Sequence, residues 1–144
     1  MSNIKYINWL DVEKMISDIS RQIIENGFRA DFIAPIPKGG WTVASLLAQH
    51  LNIKNSISIA QEKNGDLRNT YIAGCPQIKN KNILVVEDSI ETGKSLFNAK
   101  LELIRLGANV KTSCLYVSSN FKGVLPDFYY DIGEIPEFPW EIQY

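Results

Sequence analysis

The stretch ILVVEDSIETGKS, residues 83–95, decides the fold class of this chain. ILVV is a continuous apolar run, which is typical of a strand buried on both faces of a parallel sheet. Apolar residues then recur at Leu96, Ala99 and Leu103 with the spacing of one helix face. Gly107 is expected to end that helix. A buried strand followed directly by a helix predicts one unit of an α/β fold.

The rest of the chain alternates in the same way. Val12, Met15 and Ile19 follow helical spacing, with Asp11 as the expected N-cap and Gly27 as the stop. WTVASLLAQHL, residues 41–51, predicts a second helix. Further strands are predicted at FIAPIP (32–37), SISIAQ (56–61), TYIAG (70–74) and TSCLYVS (112–118). We expect a central, mostly parallel sheet flanked by helices, in one domain spanning residues 1–144.

Two segments are expected to lack regular structure. EKNGDLRNT, residues 62–70, is polar and contains Asn-Gly, so it predicts a mobile loop. The aromatic tail, residues 128–144, is expected to fold irregularly over one end of the sheet. The aromatic rings of Trp9, Trp41 and Phe128 are expected to pack in or beside the core.

Composition excludes several classes of protein. The 144 residues are 45% hydrophobic and 22% charged, with a net charge of −1. This balance predicts a globular protein without nucleic-acid partners, because binding phosphates requires a basic excess. No apolar run approaches the roughly 20 residues that span a bilayer, so no membrane partner is expected. The N-terminus lacks the pattern of a secretory signal, which favours a cytoplasmic location.

The few cysteine and histidine residues point to structural roles. Cys75 and Cys114 are far apart and in no CxxC pattern, so two buried thiols are expected rather than a disulfide framework or a zinc site. The only histidine, His50, lies near the end of an apolar helical stretch and has no GxSxG motif to accompany it. We expect His50 to be structural.

The chemistry of this chain is concentrated after the ILVV strand. Glu87 and Asp88 are adjacent carboxylates, which suit a diol because they accept hydrogen bonds from hydroxyls. Residues 92–95, TGKS, begin the following helix, where free N–H groups, hydroxyls and an ammonium favour an anion. Together they predict a ligand with a diol and a phosphate, such as ribose 5-phosphate. A P-loop is excluded, because Asp88 stands where that motif requires glycine.

These residues resemble the PRPP-binding signature of type I phosphoribosyltransferases: an apolar strand, two acids, two variable residues, an acid, then Thr-Gly-x-Ser/Thr. APIPKGGWTVASLLAQHL (34–51) is similar to the family's pyrophosphate loop and first crossover helix. KYINW (5–9) and the late PDFYYDI and PW segments resemble the bacterial xanthine–guanine branch. The resemblance implies the family's α/β fold, with a small hood formed by the chain termini.

The resemblance also implies an activity: transfer of the 5-phosphoribosyl group from PRPP to a nucleobase nitrogen, with release of pyrophosphate and Mg²⁺ bound. Glu87 and Asp88 would hold the ribose hydroxyls and the metal. Thr92, Gly93, Lys94 and Ser95 would bind the 5-phosphate. Glu91 would exchange a proton with the base. No protein nucleophile is needed.

The pyrophosphate side falls on Lys38, Gly39 and Gly40, since glycine amides can approach the leaving group and lysine supplies charge. The catalytic residues implied are therefore Glu91, Asp88 and Lys38. The family resemblance implies a cis peptide between Pro37 and Lys38. The loop around Arg68 is expected to close over the ribose and exclude water.

The acceptor base is less well specified. The lysine that usually recognises a 6-oxopurine is replaced by Ser118 or Ser119, and the next lysine is Lys122. Either Lys122 reaches the base, or purine specificity is relaxed, which we favour. A ring or side chain of the tail is expected to cover the base. The candidates are Phe128, Tyr129, Ile135 and Trp140.

Two other functions fit the same signature. One is a non-catalytic regulator that senses PRPP, although a single, weakly acidic domain offers little surface for nucleic acid. The other is a phosphoribosyltransferase for a pyrimidine or another small base. The resemblance further implies a homodimer or homotetramer.

Overall fold

The computed structural model describes residues 4–64, 67–73 and 77–142. Its elements alternate between helix and strand for most of the chain. In chain order they are α1 (Trp9–Asn26), β1 (Phe32–Pro35), α2 (Gly39–Leu51), β2 (Ser58–Asn64), β3 (Leu67–Ala73), β4 (Asn82–Ile90), α3 (Lys94–Arg105), β5 (Asn109–Ser118) and β6 (Phe128–Gly133).

The central sheet has the order β1-β4-β5-β6, and all its neighbouring strands are parallel. β4 lies inside this sheet, and its residues Ile83 to Val86 are fully buried. Val86 packs in the core with α1 and α2, whereas Val85 packs with α3 on the other face. The predicted α/β fold is therefore confirmed, because the continuous apolar run of β4 serves two cores at once.

The start of α1 corrects the prediction of Asp11 as N-cap. Asn8 is the N-cap, and its Oδ1 accepts a hydrogen bond of 2.8 Å from the Asp11 N–H. Asp11 is the third helical residue and accepts a 3.0 Å bond from the Asn8 N–H. This reciprocal capping box begins the helix three residues earlier than the sequence suggested. Gly27, in the left-handed conformation, ends the helix as predicted.

The prediction of a loop at residues 62–70 is wrong. β2 and β3 pair as an antiparallel ribbon, with Asn64 opposite Leu67 and Ser58 opposite Ala73. Residues 65 and 66 lie outside the described residues. The polar composition misled the prediction, although the Asn-Gly pair within this segment is itself a hairpin signal.

The tail also differs from the prediction of irregular structure, because residues 128–133 form β6. This strand pairs with β5 in parallel, from Ser113 with Phe128 to Ser118 with Gly133. Beyond β6 the tail meets the N-terminus. The Ile7 N–H donates to the Glu137 carbonyl at 3.1 Å, and the Glu137 N–H donates to the Lys5 carbonyl at 2.8 Å. The two termini thus form the small hood that was expected.

The predictions for single aromatic residues have mixed outcomes. Phe128 is buried, as expected. Trp9 and Trp41 are 54% and 57% exposed, so the prediction that they pack in or beside the core is wrong. Trp41 lies on the outer side of α2, away from the buried Val43 and Leu47. Trp9 is on the same side of α1 as Val12 and Ile16 but is the first helical residue. Its ring therefore extends past the core and lies 5.9 Å from that of Trp140. His50 is exposed in the last turn of α2.

No helix in the described part of the chain is long and apolar enough to cross a membrane.

Cys114 is fully buried in β5, and Cys75 lies outside the described residues. Burial raises the pKa of the Cys114 thiol, and the nearby Glu87 and Asp88 carboxylates raise it further. A thiol with a raised pKa stays protonated, and only the thiolate reacts readily.

We therefore expect Cys114 to be unreactive in the folded protein. A Cys75→Ser variant, which leaves Cys114 as the remaining cysteine, should consume almost no Ellman's reagent at pH 8 and one equivalent after unfolding in guanidinium chloride. Rapid stoichiometric reaction of the native variant would contradict this burial.

Candidate active site

The carboxyl ends of β1 and β4 lie side by side, because these strands are parallel neighbours with Pro35 opposite Val86. The Ile36 N–H continues the pairing with a 2.8 Å bond to the Val86 carbonyl. The chain then turns through residues 37–40 into α2, while β4 continues through Glu87 and Asp88. Two segments 50 residues apart in sequence therefore meet at one edge of the sheet, where α/β folds bind ligands.

Gly39 and Gly40 allow this close approach. A Cβ atom on Gly39 would overlap the Asp88 carboxylate, and one on Gly40 would lie 2.5 Å from the Val86 carbonyl oxygen. Glycine is required at both positions because the space is filled by β4. The peptide bond between Pro37 and Lys38 is cis, as predicted. The structure thus brings together the Lys38–Gly40 turn and Asp88, as the sequence reasoning expected of one site.

Asp88 is held at both carboxylate oxygens. Its Oδ1 accepts a 2.7 Å hydrogen bond from the Ser89 N–H, and its Oδ2 accepts a 3.2 Å bond from the indole Nε1 of Trp140. Trp140 stacks on Phe138 with centroids 4.7 Å apart and planes 5° apart. The tail therefore reaches into the strand-end site through Trp140. No local sequence pattern signals this contact, because 52 residues separate the two side chains.

Glu87 precedes Asp88 on β4, so strand alternation directs the two carboxylates toward opposite faces of the sheet. Glu87 lies opposite Cys114 in the register. Asp88 lies on the other face, beside Gly39 and Trp140. Both residues are half-buried at the strand end. The two carboxylates can therefore approach a ligand beyond the strand from two sides.

Glu141, an acidic residue that was not predicted from the sequence, lies near Asp88. Glu141 accepts a 3.1 Å hydrogen bond from the Phe138 N–H through its Oε2. Partial burial raises the pKa of Glu141. The hydrogen bond from Phe138 opposes this shift, and the negative charge of Asp88 adds to it. The tail thus places a further carboxyl group beside the site, which charge spacing along the sequence does not reveal.

The turn after β4 leads into α3 through Gly93, which has a φ of 74° and serves as the N-cap. Gly93 has no side chain that could cap the helix. The Lys94 N–H makes a long 3.4 Å bond to the Thr92 hydroxyl. The first turn of α3 can therefore still donate N–H groups to an anion. Thr92 is exposed and Ser95 is buried. The Ser95 carbonyl accepts a 2.8 Å bond from Gln61, which ties the β2–β3 ribbon to this turn.

The remaining predicted residues lie around this edge. Lys38 and Glu91 are exposed, each in the turn that follows its strand. Arg68 lies on β3 opposite Lys63, and its side chain is outside the described part of the structure. Ser118 is the last residue of β5, and its hydroxyl accepts a 3.2 Å hydrogen bond from the Asn120 N–H.

Lys122, the alternative to Ser118 for contacting a base, is exposed on the loop after β5. It lines a mostly apolar cavity of about 320 Å³ between that loop and α3, together with Gly93 and Phe121. Phe121 packs so closely on Gly93 that a Cβ there would lie 2.9 Å from its ring. Trp140 and Asp88 do not line this cavity among the described residues.

The donor set suits a hard cation. Among the residues that the structure describes, no group of three or more histidine, cysteine, aspartate or glutamate side chains is arranged to hold a metal ion. Carboxylates at a strand end instead match Mg²⁺, which keeps several waters and uses one or two protein carboxylates together with substrate phosphates. Glu87 and Asp88 fit that description.

Comparison with known proteins identifies the family. A sequence model of a protein family, described as "phosphoribosyl transferase domain", matches residues 5–144. A purine phosphoribosyltransferase from Pyrococcus horikoshii is 28% identical, with a TM-score of 0.78 over 96% of this chain and 94% of that one. A search among curated protein sequences gives no significant match.

Two other solved structures share the fold at lower identity. Xanthine-guanine-hypoxanthine phosphoribosyltransferase from Helicobacter pylori is 19% identical, with a TM-score of 0.79 over 96% of this chain and 93% of that one. A hypothetical protein from Neisseria gonorrhoeae with bound ppGpp is 18% identical, with a TM-score of 0.78 over 99% and 92%.

The strand-end site and these matches define a class of enzyme, the PRPP-dependent phosphoribosyltransferases. The chain belongs to the phosphoribosyltransferase family. It is of type I, and it is similar in sequence and fold to a purine phosphoribosyltransferase.

Proposed function

We propose that this enzyme transfers the 5-phosphoribosyl group of PRPP to a ring nitrogen of a purine, releasing pyrophosphate, as in nucleotide salvage. One observation carries the proposal: the Gly39 turn lies directly against the Asp88 carboxylate. The amino terminus of α3, which begins at a glycine without a capping side chain, follows five residues later. A diol site, a phosphate site and a second glycine-rich anion site at one sheet edge match the three polar parts of PRPP.

PRPP is positioned through its ribose and its 5-phosphate. Glu87 and Asp88 accept hydrogen bonds from the two ribose hydroxyls, which fixes the sugar across the end of β4. The 5-phosphate binds the Thr92–Ser95 turn, where the N–H groups of α3 and the two hydroxyls donate to its oxygens and Lys94 adds positive charge. Orientation by these groups accounts for part of the rate enhancement.

The leaving pyrophosphate is held on the other side of the ribose. The amides of Gly39 and Gly40 and the ammonium of Lys38 stabilise the negative charge that grows as the glycosidic bond breaks. Bound Mg²⁺, held by Glu87 and Asp88 and by PRPP oxygens, would supply further charge neutralisation on PRPP. The transition state resembles the oxocarbenium-like state of glycoside chemistry, so no protein nucleophile takes part.

Glu91 exchanges a proton with the purine as its ring nitrogen attacks the ribose. It is exposed in the turn between β4 and α3, within the segment that holds the ribose and the phosphate. The β2–β3 ribbon carries Arg68 and is anchored to the phosphate turn through Gln61 and Ser95. We propose that this ribbon, rather than a loop, covers the ribose and limits hydrolysis of PRPP. A cytoplasmic location and a homodimer or homotetramer remain predictions.

The proposal is tested by incubating the protein with PRPP, Mg²⁺ and single free bases, and identifying the mononucleotide product by chromatography. Guanine, xanthine, hypoxanthine, adenine and uracil form the panel. A purine mononucleotide is the expected product. Product from uracil alone would replace the purine assignment with a pyrimidine one.

Specificity among purines is expected to be relaxed, because Ser118 offers a short, uncharged hydroxyl where the family places a lysine. Hydrogen bonds to charged groups contribute about 1.5–3 kcal/mol, so losing one removes roughly 10- to 100-fold of discrimination. Guanine, xanthine and hypoxanthine all carry the 6-oxo group and adenine carries an amino group there, so we expect the kcat/KM for adenine to lie within about tenfold of the values for the three 6-oxopurines.

The control for specificity is Lys122→Ala, measured with the same four bases. Lys122 lines the cavity beside α3, so its truncation should leave the ranking of bases unchanged. Strong preference for one 6-oxopurine that disappears in Lys122→Ala would assign recognition to this lysine. Strong preference that survives the substitution would place the recognition element elsewhere.

A further inference from the structure

Trp140 makes two contacts of different kinds. Its ring stacks on Phe138, which is only 2% exposed. Its Nε1–H donates to Asp88 Oδ2 at 3.2 Å. A ring fixed by a buried neighbour has little rotational freedom, so the donor is aimed at the carboxylate before any ligand binds.

The Asp88 carboxylate is constrained from three directions. The Ser89 N–H binds Oδ1, the Trp140 indole binds Oδ2, and the Gly39 backbone lies against a third side of the carboxylate. Each carboxylate oxygen has two lone pairs, so one acceptor site on each oxygen stays available to a ligand. The neutral indole donor also leaves the negative charge in place, whereas a lysine would neutralise it.

We propose that Trp140 is a positioning residue for PRPP: its indole N–H fixes the Asp88 carboxylate in the orientation that receives the ribose hydroxyls and the metal. This inference deepens the proposed function and rests on it. Trp140 belongs to the hood. The inference therefore gives the hood a role in binding PRPP that is separate from covering the base.

The decisive variant is Trp140→Phe, because phenylalanine keeps an aromatic ring for stacking on Phe138 or on a base while the N–H donor is lost together with the second ring of the indole. Trp9→Phe is the matched control. The Trp9 ring lies 5.9 Å from that of Trp140, and Trp9 is 54% exposed on α1. Both variants lose one indole near the hood, and only one of them loses a bond to Asp88.

We expect Trp140→Phe to weaken binding of PRPP·Mg²⁺, measured by calorimetry, by about tenfold, since a hydrogen bond to a charged group is lost. The KM for PRPP should rise similarly, while the KM for the base changes less than twofold. Trp9→Phe should leave both values unchanged. A rise confined to the KM for the base would show a base-covering role instead, and tighter PRPP binding would show that the indole blocks the site. Either result overturns the inference.

A second measurement does not depend on turnover or on the folding of Trp140→Phe. In ¹⁵N–¹H spectra the three tryptophan indoles give separate signals, and we expect the Trp140 signal to shift in Asp88→Asn while those of Trp9 and Trp41 stay in place. An unmoved Trp140 signal contradicts the contact. If the parent binds no PRPP, the proposed function fails; if it binds PRPP and Trp140→Phe binds it equally well, only this inference fails.

Discussion

Asp88→Asn is expected to reduce kcat/KM for PRPP by about 100-fold or more and to leave the fold nearly as stable as in the parent. The variant keeps the size of the side chain and an oxygen acceptor, and it loses the negative charge that the diol and the metal require. Losing charge-assisted hydrogen bonds to two ligand groups accounts for this magnitude. Asp88 is half-buried and belongs to neither apolar core cluster, so we expect a stability change within about 1 kcal/mol.

Thermal melting with and without PRPP and Mg²⁺ measures both effects. The parent should gain several degrees on addition of the ligands, because binding to the folded state raises the melting temperature. Asp88→Asn should melt near the parent without ligands and gain almost nothing with them. A ligand-induced gain equal to that of the parent would show that Asp88 does not hold the ribose or the metal.

Gly39→Ala is expected to lower kcat/KM for PRPP by a similar factor, because it displaces the Asp88 carboxylate rather than removing its charge. The added Cβ would overlap the Asp88 carboxylate, which must then turn away from its hydrogen bonds to Ser89 and Trp140. A side chain yields more easily than backbone, so stability should change little while kcat/KM falls about 100-fold.

Two glycines provide matched controls for this variant. In Gly40→Ala the added Cβ would lie 2.5 Å from the Val86 carbonyl, so the backbone must move and the melting temperature should fall by several degrees. In Gly133→Ala the Cβ would meet nothing within 4 Å, so neither stability nor activity should change. Full activity of Gly39→Ala would mean that the Gly39 turn and Asp88 do not form one site.

The elements that sequence predicted well are those with a strong local pattern. β4 and α3 were predicted because ILVV is apolar without interruption and Leu96, Ala99 and Leu103 keep helical spacing. β6 was missed, since FYYDIG lies at the sheet edge and mixes aromatic, charged and glycine residues. Edge strands need not be buried on both faces, so they lack the continuous apolar signal.

The site residues also divide into those with a local sequence pattern and those without one. Residues 87–95 are contiguous, and their chemistry is legible from their order along the chain. The approach of Gly39 to Asp88 was predictable only from the resemblance to a family. The bond from Trp140 to Asp88 and the nearby Glu141 were not predictable, because they depend on how the tail returns over the sheet.

The central claim is that the strand-end site uses PRPP as a substrate. The most direct measurement is pyrophosphate release, followed continuously with PRPP, Mg²⁺ and a purine base, for the parent and Asp88→Asn side by side. We predict release that requires the base, equals the mononucleotide formed, and falls about 100-fold in Asp88→Asn. A parent protein that binds PRPP but releases no pyrophosphate with any base would contradict the account and identify a sensor of PRPP instead.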